Sequence, residues 1–261
     1  MSEESLFETL FDIIFTVGGV LFRVALAWLP LVVSFVCGYG LRDLISRRRR
    51  AAARREFFRR HPTKDPAYTP ASVVPPNRLH SRADVLGRPS PVPAEKGLYA
   101  WYFSEVPGAV PTEGCLTVDG KKLLYIGTVP DKAGRENGRQ SLQRRLRHHY
   151  KGNAEASPLR RTLGVLLEEQ SKFPLRRVGK GKRVTLTRAG EKFLDEWMEQ
   201  NAFVAWIACP DPWALERELL GELPCPLNLK GNDHHPFAPE LKRMRRHALR
   251  RARELPVMNE H

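Results

Sequence analysis

The chain has 261 residues, 42% of them hydrophobic, and its 43 Lys and Arg against 29 Asp and Glu leave a formal net charge of +14. That length and apolar content can bury a core, which excludes a disordered chain, and the basic balance favours a polyanionic partner, either nucleic acid or an anionic membrane face. The four cysteines (Cys37, Cys115, Cys209, Cys225) form no C-x-x-C pair, which argues against a zinc site or a disulfide framework and fits a reducing, cytosolic setting.

Residues 1–41 are the most apolar part. Within them residues 24–41 carry no charged side chain and come close to the length of a membrane-spanning helix, so the sequence predicts a transmembrane anchor there. Upstream, Glu8, Asp12, Thr16, Gly19 and Arg23 recur on one helical side and Leu6, Leu10, Ile14, Val17 and Leu21 on the other. That amphipathic segment either lies in the outer interface or extends the spanning helix, with its polar stripe toward a partner. Residues 42–60 then hold nine arginines against Asp43 and Glu56, which reads as a juxtamembrane helix facing acidic headgroups. The positive-inside rule puts the C-terminal bulk of the chain in the cytoplasm, and the order of charge and apolar core is the reverse of a cleaved signal peptide. The expectation is a single-pass membrane protein with its C-terminal domain in the cytoplasm. The alternative for the apolar segment is a buried soluble helix. Residues 61–94 are proline-rich with little apolar periodicity and read as an extended linker.

A folded domain is expected over residues 95–237. The β-prone runs Leu98 to Phe103 and Leu123 to Val129 flank turn-formers at Pro107-Gly108, Glu113-Gly114 and Asp119-Gly120, and predict an antiparallel hairpin bearing Tyr99 and Tyr125. Ser141 can cap a helix to about Tyr150, and Ser157-Pro158 opens another toward Gln170. A basic insertion at 166–201 holds a β-prone stretch from Arg176 to Leu186, tipped by Lys180-Gly181-Lys182-Arg183, and a helix from Ala189 to Asn201. A strand from Phe203 to Ala208, a helix from Trp213 to Leu223 and a basic C-terminal helix in 238–261 complete the order. The fold class is α/β in the α+β sense: a small three-stranded, mostly antiparallel sheet flanked by helices, preceded by the transmembrane helix.

Gly97-Leu98-Tyr99 and Tyr125-Ile126-Gly127 together resemble the signature of the GIY-YIG nuclease family. Two further elements carry the resemblance. Leu142-Gln143-Arg144-Arg145-Leu146 places Arg145 where the family has its helix arginine. Glu216, in Trp213-Ala214-Leu215-Glu216, is followed twelve residues later by Asn228, in Pro224-Cys225-Pro226-Leu227-Asn228. The chain departs from the family in having Thr128, where a lysine or similar residue commonly follows YIG, and in a longer segment between the two tripeptides.

The resemblance implies a metal-dependent endonuclease with Tyr99, Tyr125, Arg145, Glu216 and Asn228 as site residues. Glu216 would bind Mg²⁺ (or Mn²⁺), a hard cation suited to a carboxylate. Arg145 offers a planar fork to phosphate oxygens. Either tyrosine could act as the base once its proton affinity is lowered. Asn228 would orient substrate or the glutamate helix. His149, one turn beyond Arg145 on the same helix face, joins the catalytic set, while surface or supporting roles are expected of the other histidines. Arg144, Arg147, Lys180, Lys182 and Arg183 are candidates to track a nucleic-acid backbone, with DNA expected ahead of RNA. Taken singly, each residue also has an ordinary reading as a strand aromatic, solvated arginine or turn residue. The rival function is a catalytically silent, membrane-anchored binding module of the same fold, and pairing into a homodimer stays open.

Overall fold

The computed structural model describes residues 76–131 and 140–259, all within the second of the chain's two units, Pro66–His261. The expected anchor, the arginine run and residues 61–75 of the expected linker lie outside the described residues. Among the described residues no helix is long and apolar enough to cross a membrane.

The centre is an antiparallel sheet in the order β2-β3-β1-β6. Its strands are β1 (Gly97–Phe103), β2 (Thr117–Val118), β3 (Lys121–Val129) and β6 (Ala202–Ala208). The expected hairpin is β1 with β3, in a register that opposes Tyr99 to Gly127 and Trp101 to Tyr125. The sheet has four strands where three were expected, because Thr117–Val118 pairs with Lys122 and Lys121. Asp119 and Gly120 both take positive φ (50° and 72°) in the two-residue turn between them, as a tight hairpin requires.

All seven residues of β1 are buried, because both faces of the sheet are covered. Tyr99, Trp101 and Phe103 face one core with helices α2 (Leu142–Lys151), α3 (Pro158–Leu166), α5 (Arg188–Asn201) and α7 (Ala238–Glu254). Leu98, Ala100 and Tyr102 face a smaller core closed by Leu215, Leu219 and Leu220 of α6 (Pro212–Glu222). A bulge at Trp101/Tyr102 shifts the partner from Tyr125 to Leu123. The extra residue lets Leu124 and Tyr125 both join the larger core, although strand alternation would send one of them to each face.

Residues 76–94 depart from the extended-linker expectation. They contain helix α1 (Arg82–Leu86), closed by a capping box in which Ser81 and Asp84 satisfy each other's backbone N–H. Val85 is fully buried, and His80 exchanges two 2.9 Å backbone hydrogen bonds with Val204 on β6. The helix expected from Ser157 to Gln170 is broken at Leu167, so α3 stops at Leu166 and a short α4 (Glu168–Ser171) follows. In the basic insertion, β4 (Arg176–Val178) and β5 (Arg183–Thr185) form a hairpin. It is docked on the C-terminal tail, where Met258 bonds backbone to backbone with Arg177 and Gly179.

Candidate active site

Helix α2 sets one wall of the site. Ser141 caps it by accepting the Arg144 N–H at 3.3 Å, and Leu142, Leu146, His149 and Tyr150 form its buried stripe. Arg145 and His149 are one turn apart and project together toward β1. There the Arg145 Nε–H donates to the Tyr99 hydroxyl at 3.3 Å, and His149 Nε2 lies 2.9 Å from the same oxygen.

His149 is fully buried and held from both sides. Its Nδ1 lies 2.7 Å from Ser157 Oγ, the cap of α3, which also accepts the Arg160 N–H at 3.1 Å. Behind it the buried Arg160 guanidinium donates to the carbonyls of His149 (3.2 Å) and Tyr150 (3.3 Å) and pairs with Glu191 (2.7 Å) and Asp195 (2.7 Å). Burial, then the positive charges of Arg145, His148 and Arg160, hold the His149 pKa well below its ordinary value, so the imidazole is neutral near pH 7.

A cavity of about 220 Å³ lies in front of this cluster, lined by Tyr99, Tyr125, Arg145, Glu216, Asn228 and Arg245 among others. His149 sits behind Tyr99 and does not line it. The phenol of Tyr99 is raised in pKa by burial, with Arg145 acting in the opposite direction. Burial also raises Tyr125, whose hydroxyl has no hydrogen-bond partner among the described residues. Glu216 is raised by burial, while Lys230, a Thr128 hydrogen bond and Arg217 favour its charged form.

Asn228 is occupied differently from the expectation that it orients substrate or the glutamate helix. Its Nδ2 donates to the Ile126 carbonyl (2.7 Å) and its Oδ1 accepts the Ile126 N–H (2.8 Å), so the amide substitutes for a strand neighbour and pins β3 beside Tyr125. Arg144 and Arg147 line a groove of about 800 Å³ that meets the cavity at Arg145. Lys180, Lys182 and Arg183 are on the distant β4–β5 hairpin and do not line the cavity, and Arg183 pairs with Glu155 at 2.9 Å.

The two tripeptides have their glycines for steric reasons. A Cβ on Gly97 would meet the Ile207 carbonyl at 2.1 Å and Leu142 at 2.7 Å, and one on Gly127 would meet the Tyr99 hydroxyl at 2.5 Å. A family model described as the GIY-YIG catalytic domain matches residues 97–247. The chain belongs to the GIY-YIG family. No curated protein and no solved structure matches it.

GIY-YIG domains are endonucleases, which makes nucleic acid the substrate class. Here the domain reaches into α7, beyond the boundary expected at 237. From α7 Arg245 enters the site cavity, a contribution missed in the sequence because Arg245 is one of many cations on a basic helix. Its signal is positional: Leu241, Arg245 and Leu249 share one helical stripe, and an arginine stands where an apolar residue is expected. Lys230 was missed too, as were the contacts of Thr128 with Glu216 and of Ser157 with His149, since these depend on the tertiary fold.

GIY-YIG nucleases generally use divalent metals. Among the described residues no group of three or more His, Cys, Asp or Glu side chains could hold an ion. Glu216, with Thr128 hydrogen-bonded to it, offers one hard oxygen ligand, a donor type that fits a cation keeping most of its waters.

Proposed function

We propose that the chain is a metal-dependent endonuclease that hydrolyses phosphodiester bonds of nucleic acid, DNA ahead of RNA. The observation that carries this reading is the Tyr99 hydroxyl, held between Arg145 Nε and His149 Nε2 at the wall of a cavity that Glu216 also lines. Arg145 is positioned to engage a phosphate oxygen as charge builds in the transition state. Of the two tyrosines, Tyr99 is the better base. Arg145 counters the burial penalty on its anion, and neutral His149 can accept its proton while its own Nδ1–H donates to Ser157. In that sequence water gives a proton to the Tyr99 oxygen as the Tyr99 proton passes to His149 Nε2. Tyr125, with its free hydroxyl, orients the water or a phosphate oxygen. Asn228 keeps β3 in register beneath both.

Glu216 would hold the Mg²⁺ or Mn²⁺, with Thr128 orienting the carboxylate; when bound, the ion polarises the scissile phosphate and stabilises the leaving oxygen. Residues 24–41 are proposed to tether the enzyme to a membrane with the nuclease in the cytoplasm, supported by their lack of charge and the arginines that come after them.

A nicking assay on supercoiled plasmid tests the enzyme. Cleavage should require Mg²⁺ or Mn²⁺ and disappear in Glu216→Ala. No cleavage by the wild type, or equal cleavage by the variant, refutes the reading. Recovery of all the protein in the soluble fraction after lysis refutes the tether.

A further inference from the structure

Arg245 and Leu229 are shared by the site cavity and a neighbouring groove of about 510 Å³ along α7, which Lys242, Arg246 and Leu249 also line, and of the two Arg245 carries the charge. No hydrogen bond or ion pair engages Arg245 among the described residues. The cation nearest in influence is Arg161, whose guanidinium is already committed to the carbonyls of Ala154 (3.1 Å) and Glu155 (2.6 Å). Burial and Arg161 both work against the charge of Arg245. A half-buried cation beside another, without a carboxylate partner, is held at a cost that an arriving anion would remove. The only acid lining the groove, Asp233, is taken by Lys242. Arg246 is exposed and also has no partner among the described residues.

We propose that Arg245 binds a phosphate next to the scissile one and that the α7 groove carries the strand onward from the site. This rests on the nuclease reading for the nature of the polyanion. Arg144, Arg147 and Lys151 line a second groove, which joins the cavity at Arg145. Basic channels therefore leave the site in two directions, one along α2 and one along α7. A strand that continues past the reacting bond both ways is what an enzyme cutting internally has to hold. Arg245 and Arg246 lie three and four residues beyond Lys242, so α7 presents cations on successive turns, a rise of roughly 4.5–6 Å along the groove.

The test is fluorescence anisotropy of the full-length protein with a 20-base-pair DNA duplex and a matched RNA duplex, in EDTA, over a series of salt concentrations. Arg245→Gln should weaken binding roughly tenfold and lower the slope of log affinity against log salt by about one. Arg246→Gln should have the same kind of effect, smaller in size, and because it is exposed it keeps the test valid if Arg245→Gln fails to fold. Equal loss with both duplexes marks phosphate recognition; loss with one alone identifies that nucleic acid as the occupant. Wild-type affinity and salt slope in both folded variants overturn the proposal, as does a wild type that binds neither duplex. Because no metal is present, binding is read apart from cleavage: a plasmid nicked normally by variants with unaltered binding sinks the groove alone, and altered binding without any nicking sinks the enzyme alone.

Discussion

Gly127→Ala should cost this protein far more activity than stability. The new Cβ would lie 2.5 Å from the Tyr99 hydroxyl, 2.6 Å from Cζ and 2.9 Å from Cε2, where ordinary contact begins at 3.4 Å. The ring must therefore retreat by about 0.9 Å at its polar end. It has little freedom to do so, since Tyr99 is 1% exposed and its oxygen is tied to Arg145 and His149. Overpacking of this kind costs about 1–3 kcal/mol, or a fall of roughly 2–12 °C in Tm for a domain of this size. If the Tyr99 oxygen is the proposed base, its displacement by nearly an ångström should lower kcat roughly a hundredfold. Gly221→Ala is the control: it lies in α6 with nothing within 4 Å of the added atom, and should raise stability by about 0.5–1 kcal/mol with unchanged turnover. Plasmid nicking rates and thermal melts of both variants decide the matter. A Gly127→Ala enzyme within threefold of wild-type activity would refute the account of Gly127 as the space that seats Tyr99.

Gly97→Ala should behave in the opposite way, because its Cβ meets the Ile207 backbone at 2.1 Å; expression in the soluble fraction and melting should suffer before any effect on chemistry can be measured. Arg160→Met should destabilise by about 3 kcal/mol, since it removes the buried cation shared by Glu191 and Asp195, which keep only Thr185, Ala154 and Arg82, and leaves the carbonyls closing α2 without their donor; denaturant titration reads it, and a loss under 1 kcal/mol would contradict the network. His149 has its folded pKa held below the unfolded value, so the unfolded chain takes up this proton first and stability is lost as pH falls below about 6.5. His149→Gln should flatten that part of the Tm profile between pH 7.5 and 5, and curves that stay parallel would show that this proton is not involved.

What could be read in the sequence was local or rigidly spaced. The β1–β3 hairpin came from short-range alternation between turn-formers, and the helices after Ser141 and Ser157 from their caps. Even β2 had its sign in Asp119-Gly120, although two residues of strand give no periodicity to count. Helix α1 was hidden by the prolines around it, while the Ser81–Asp84 capping spacing pointed to it. Residues whose meaning lies in what they meet across the fold were harder. Asn228 could be placed at the site, yet its amide is spent on Ile126. Arg245 is chemically identical to its neighbours on α7 and differs only in the cavity it enters.

The sheet ends on both sides in single residues that imitate a strand. On β6, His80 takes both outward backbone groups of Val204, and the Tyr150 hydroxyl takes the carbonyl of Ala202 (2.8 Å). On β3, Leu227 takes the carbonyl of Leu124 and Asn228 both groups of Ile126. Two copies of this domain joined edge to edge through a continuous sheet would first have to break these pairs, and β2 offers only two residues in exchange. Self-association, where it occurs, is thereby steered to the helical surfaces.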